Sequence, residues 1–116
     1  MFHMLTSFDL KPGNTLDAFE RPLNAFTKHL CTLDLLESRS AIGVRQSDTI
    51  LDTDDERHHQ YFVLMHFRDR AQSDKAVRYI EAGHATSSSV HEAVYANIEN
   101  PMFICWQDIQ RSEAES

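Results

Sequence analysis

The stretch from His59 to Arg68, reading His-Gln-Tyr-Phe-Val-Leu-Met-His-Phe-Arg, restricts the fold more than any other part of this chain. It is the longest apolar run, about the length of one β-strand. Acidic Asp52-Thr-Asp-Asp-Glu56 precedes it and Asp69-Arg70-Ala71-Gln72 follows. As a strand it sets Tyr61, Val63, Met65 and Phe67 on one face and Phe62, Leu64, His66 and Arg68 on the other. Both faces are apolar until the far end of one. Such a strand belongs at the centre of a sheet, covered on both sides.

The rest of the chain supplies partners for it. Phe2 to Leu10 alternates, with Phe2, Met4, Thr6, Phe8 and Leu10 against His3, Leu5, Ser7 and Asp9, and reads as a strand. Lys11-Pro-Gly-Asn14 breaks it, and Asn14 or Thr15 caps a helix striped by Phe19, Leu23, Phe26, Leu30 and Leu33. Pro22 in its second turn predicts a kink or a late start. Leu35 to Gln46 is more polar and reads as an edge strand. After the central strand, Ser73 or Asp74 caps a second helix that runs to Gly83, a residue suited to a left-handed end. A further short helix is expected from Ser89, because Ser89-x-x-Glu92 is a capping box ahead of Val90, Ala93, Val94 and Ile98. Met102 to Ile109 alternates as a last strand, and residues 110–116 read as a disordered tail.

Strand, helix, strand, strand, broken helix, strand is the ferredoxin-like βαββαβ plan, an α+β fold in one domain over residues 1–116. Its four-stranded antiparallel sheet has the order 4-1-3-2, with both helices on one face. The other face would then carry Leu5, Phe62, Leu64, Phe103 and Cys105, and a bare apolar face implies a partner. Over about residues 2–109 this order and patterning resemble the dimeric α+β barrel superfamily. Thr53-Asp-Asp-Glu-Arg57, His66-Phe-Arg-Asp-Arg-Ala71 and Pro101-Met-Phe-Ile-Cys-Trp106 are similar to a small group of uncharacterised bacterial proteins within it. The resemblance implies a homodimer joined through the open sheet faces, with a ligand held between sheet and helices. It brings no activity with it.

Composition excludes several classes. The net charge is -7, which repels phosphate backbones and anionic lipid, so neither nucleic acid nor membrane is an expected partner. No stretch approaches the roughly 20 apolar residues of a membrane helix, and no signal-peptide pattern opens the chain, so a cytoplasmic location is expected. Cys31 and Cys105 lie far apart with no C-x-x-C spacing, and both read as buried thiols. No nucleotide loop, G-x-S-x-G or H-E-x-x-H motif occurs.

Register narrows the site. Antiparallel pairing of the first strand between the third and fourth sets His3 beside about His66 and about Gln107, with Arg39 from the edge strand nearby. The expected ligand site is therefore His3, Leu5, Arg39, Phe62, Leu64, His66, Cys105 and Gln107. Arg39 or a protonated histidine would hold a carboxylate or phenolate at the polar end of an apolar pocket. The same groups can equally serve only as hydrogen-bond partners at a dimer interface.

The expected role is binding of a small apolar or aromatic acid, with no cofactor. One alternative is a cofactor-independent monooxygenase or isomerase acting on an aromatic or polyketide-like acid, with His3, His66, His84 or His91 as general base. Another is a structural or regulatory dimer without ligand. The superfamily resemblance draws attention to His84 and His91, which flank Ser87-Ser-Ser89 in the break of the second helix. The acidic loop 52–56 lacks the glycine of a calcium loop and reads as solvated, so no metal is expected there.

Overall fold

A computed structural model describes residues 1–83 and 91–110. In chain order the elements are β1 (Phe2–Leu10), α1 (Leu16–Thr32), β2 (Ser38–Arg39), β3 (Gly43–Val44), β4 (Tyr61–Phe67), α2 (Arg70–Glu81) and β5 (Ile98–Gln107). Residues 91–95 are helical as well. The sheet runs β5-β1-β4-β2, with β3 continuing the β2 edge along β4, and every pairing is antiparallel. This is the expected 4-1-3-2 order, with the second strand in two pieces.

The break in that edge strand has a local cause. Ser38 pairs with His66 and Arg39 with Met65, but Gly43 pairs with Phe62 and Val44 with Tyr61, so one extra residue is accommodated between the two pieces. Ser40 bridges the irregularity. Its backbone N–H donates to the Leu64 carbonyl at 2.8 Å, while its hydroxyl accepts from the Leu64 N–H at 2.8 Å. A side-chain oxygen thus replaces a missing backbone acceptor.

The apolar stripe of α1 buries Phe19, Leu23, Phe26 and Leu30, but Leu33 falls at the C-cap and stays exposed. Asp34 then turns left-handed at φ 58°, its N–H reaching Cys31 O and that of Leu35 reaching Leu30 O, which closes the helix. Thr15 is the N-cap, accepting from Ala18 N–H at 3.2 Å. Pro22 neither delays nor ends the helix. Its missing N–H would orphan the Ala18 carbonyl, and the Asn97 side chain donates to that carbonyl at 3.1 Å instead.

Helix α2 starts earlier than expected. Asp69, not Ser73 or Asp74, is its cap, accepting from Gln72 N–H at 2.8 Å. Gly83 ends it at φ 71° as anticipated. The expected capping box at Ser89 and the tail at 111–116 lie outside the described residues.

The helices cover one sheet face. Phe8 is fully buried between them and the sheet, its ring centroid 4.6 Å from Phe19 and 5.7 Å from Tyr61. Val63, Met65 and Phe67 of β4 point into the same core. Cys31 and Cys105, expected to be buried, are both exposed in the fold. Among the described residues no helix is long and apolar enough to cross a membrane.

Candidate functional site

Between the sheet and its helices lies a cleft of about 620 Å³ with a mostly apolar wall. Phe2, Met4, Met65 and Phe67 form its floor, Phe26 and Leu30 of α1 one side, and Ala76, Val77 and Ile80 of α2 the other. Such a volume suits a ligand of a few rings. The helical residues 91–95 bring in the polar groups that matter most. The His91 ring stands 5.4 Å from Phe26 and 4.7 Å from Tyr95, centroid to centroid.

Burial lowers the His91 pKa below its ordinary value, against a weaker opposing pull from Glu92, so the imidazole is neutral near pH 7. Burial also raises the Tyr95 pKa, which keeps that phenol protonated. The wall therefore offers a neutral imidazole next to a phenolic donor. A neutral imidazole in apolar surroundings can accept a proton from an acidic O–H or C–H, and the phenol can donate to the oxygen left behind. Arg70 and Asp74, 4.0 Å apart on α2, also line the cleft.

The residues expected to form the site divide between the two faces of the sheet. His3 and His66 meet as predicted: they are opposed across β1 and β4, with Nδ1 atoms 2.8 Å apart. Leu5, Phe62 and Leu64 share their face, which no helix among the described residues covers. Three predictions need correction. Gln107 pairs with Phe2 and Cys105 with Met4, one step from the expected register, so both lie on the helix-covered face and line the cleft. Arg39 pairs with Met65 and sends its guanidinium to the Asn24 side chain on α1 and to Ser40 O. It is not beside His66.

The cause of the β5 error is a bulge. Ser7 pairs with Met102 but Asp9 with Glu99, and Asn100 takes a left-handed φ of 55° ahead of Pro101. A one-residue shift exchanges the faces of every side chain beyond it. The open face therefore carries Met102, Ile104 and Trp106 in place of Phe103 and Cys105. Sequence reasoning also missed Tyr95 and Asp108. The helical spacing of His91 and Tyr95, four residues apart, was the available signal for the first. Asp108, inside the expected Met102–Ile109 strand but just past the observed one, had none. His84 lies outside the described residues.

The acidic loop is organised around an arginine. Arg45 Nε and Nη2 each reach an Asp52 carboxylate oxygen at 2.9 Å, Nη2 also donates to Asp54 O at 2.7 Å, and Nη1 donates to Arg57 O. Arg57 Nη1 pairs with Asp54 at 2.7 Å. Carboxylates expected to be solvated are thus engaged by the loop's own cations.

No protein-family model matches the sequence, and no curated protein matches it. Solved structures do resemble it. An Arabidopsis thaliana protein superposes with a TM-score of 0.68 at 11% identity, over 96% of this chain and 97% of that one. A dimeric ferredoxin-like protein of unknown function from Jannaschia sp. CCS1 gives 0.63 at 16% identity, over 92% and 98%. This chain has the ferredoxin-like fold of such structures. SnoaB, a cofactor-independent oxygenase from Streptomyces nogalater, shares the fold with a TM-score of 0.58 at 8% identity, over 97% and 96%. Identities this low carry the fold and no activity.

Proposed function

We propose that this protein is a cytoplasmic homodimer, paired through its open sheet face, that binds a small aromatic or otherwise apolar acid in the cleft between sheet and helices. The cleft itself carries the reading: about 620 Å³ of apolar space with His91 and Tyr95 in its wall. The ligand site therefore moves from the His3 and His66 pair, which faces away from the helices, to the covered face where Cys105 and Gln107 already lie. Apolar contact supplies affinity there, and the few polar groups orient the acidic end.

Two features support pairing. Leu5, Leu64, Ile104 and Trp106 form an apolar face that no helix among the described residues covers, with Ile104 46% and Trp106 42% exposed. Several solved structures with this fold are dimers.

A catalytic reading is favoured by one specific observation, the neutral imidazole beside Tyr95. A cofactor-independent oxygenase or isomerase needs a base to deprotonate an acidic substrate, and His91 is placed for it. A purely structural dimer would leave the cleft without a ligand.

Native mass spectrometry of the purified protein separates these readings, followed by titration with aromatic carboxylic acids and polyphenols. The expected result is a dimer carrying a releasable small molecule, or saturable binding that Ile80→Arg abolishes by placing a charge in the cleft. A folded wild-type dimer that binds none of these compounds would leave only the structural role. Oxygen uptake or isomerisation that disappears in His91→Ala would establish the enzyme.

A further inference from the structure

A second constellation lies on the opposite face of the sheet, separate from the cleft. His3 on β1 and His66 on β4 are directly opposed in the antiparallel ladder, so their side chains leave the same face side by side. Their Nδ1 atoms converge to 2.8 Å. The Nε2 of His3 lies 2.8 Å from Asp108 Oδ1, and Asp108 also pairs with the N-terminal ammonium at 3.3 Å.

With both imidazoles neutral, these contacts set the proton positions. An ionised Asp108 can only accept, so His3 carries its hydrogen on Nε2 and leaves a lone pair on Nδ1. The hydrogen shared between the two rings then belongs to His66 Nδ1. A carboxylate gripping the far nitrogen of an imidazole is the arrangement that orients metal-binding histidines and raises their basicity.

We infer that His3 and His66 form a two-imidazole site for a borderline divalent ion of the zinc, nickel or copper class, with Asp108 positioning His3. The ion takes the place of the shared hydrogen. His66 shifts to the tautomer with hydrogen on Nε2, both Nδ1 lone pairs turn to the ion, and no net proton is released. Metal–nitrogen bonds of about 2.0–2.1 Å set two such nitrogens about 3.0–3.4 Å apart, so the pair needs to open by only about half an ångström. Imidazole nitrogen selects this class over calcium or magnesium, which demand oxygen ligands. Among the described residues no group of three or more His, Cys, Asp or Glu could hold a metal. The two imidazoles are therefore the ligands that the described residues supply.

The test is titration of the full-length protein with Zn²⁺ by calorimetry, and Cu²⁺ electron paramagnetic resonance to count coordinated nitrogens. The expected result is saturable Zn²⁺ binding that His3→Gln and His66→Gln each weaken at least tenfold. Cu²⁺ should show two nitrogens in the wild type and one in either variant. Asp108→Asn should weaken binding about tenfold or more while the nitrogen count stays at two. His58→Gln should match the wild type. Circular dichroism confirms that each variant is folded. Zn²⁺ binding that persists unchanged in the His3→Gln/His66→Gln double variant overturns the inference, as does a folded wild-type protein that shows no saturable binding.

Discussion

The two faces of β4 carry residues of similar character in different surroundings. Val63, Met65 and Phe67 are 3%, 7% and 6% exposed beneath the helices, whereas Phe62, Leu64 and His66 are only partly covered in the single chain. One strand thus supplies both the floor of a cleft and an apolar face that, among the described residues, no helix covers and only a loop overlies at its Phe62 end. The difference separates two jobs. The covered face sets the stability of the fold, and the open face is the surface through which the proposed dimer pairs.

The sharpest way to break this comparison is to truncate each face equally. Phe8 has no exposed surface and packs against Phe19 and Tyr61, so Phe8→Ala should cost about 3–5 kcal/mol in denaturant unfolding. Leu64→Ala, on the open face, should cost about 1 kcal/mol or less when unfolding is followed from the monomer. Equal losses would show that the faces are not distinct in energy.

Charge sharpens the contrast. Leu64→Glu should leave the circular dichroism spectrum intact yet weaken the dimer by about 3 kcal/mol, because two-fold pairing buries the carboxylate twice. Light scattering across a dilution series reads the effect. A Leu64→Glu protein as dimeric as the wild type would place the interface elsewhere.

How far these two faces could be told apart from sequence depended on where the ladder is regular. Phe2 to Leu10 and the central strand alternate without interruption, so their faces and the His3 to His66 pairing were legible. The sheet order followed from the element order. The edge strand and the last strand each hide an irregularity in residues that look ordinary: Ser40 in one, Asn100-Pro101 in the other. Each shifts register by one position, which misplaced Arg39, Cys105 and Gln107. Matching strand limits is good to about one residue, and one residue is enough to choose the wrong face. The cleft site was less legible still, because His91 meets Phe26, and Tyr95 meets Phe103, only through tertiary packing. Phe26 precedes His91 by β2, β3, β4 and α2.

Asn97 tests how the covered layer is tied to the sheet. Its side chain donates to Ala18 O and Ala93 O, each at 3.1 Å, and accepts from Asn14 Nδ2 at 3.2 Å. Asn97→Ala should cost about 2 kcal/mol, mainly by orphaning the carbonyl that Pro22 cannot serve. Restoring that donor with Pro22→Ala in the same chain should recover part of the loss. Simple additivity of the two changes would reject this account of Pro22.

The smallest effect belongs to the loop that folds over the far end of the open face, where Arg45, Asp52, Asp54, Arg57 and His59 surround a small hollow with Ser7 and Phe62. The hydrogen bond from Arg45 holds the Asp52 carboxyl below its usual range, and the bond from Arg57 brings Asp54 to about 2. Both groups are depressed in the folded state, so the unfolded chain takes up protons first as pH falls. Their stabilisation is therefore complete above about pH 4, the ordinary carboxyl range, and is lost as pH drops toward 2. Asp34 and Asp108 are lowered too, by Arg68 and by His3, so the wild-type slope is a sum. Arg45→Met isolates the contribution of Asp52. Melting temperatures taken from pH 5 to pH 2 should fall less steeply in this variant than in the wild type, and amide exchange at 46–57 should be faster already at pH 5. Parallel pH profiles would mean that the Arg45 pair adds nothing to the fold and that the loop is held by its backbone turns alone.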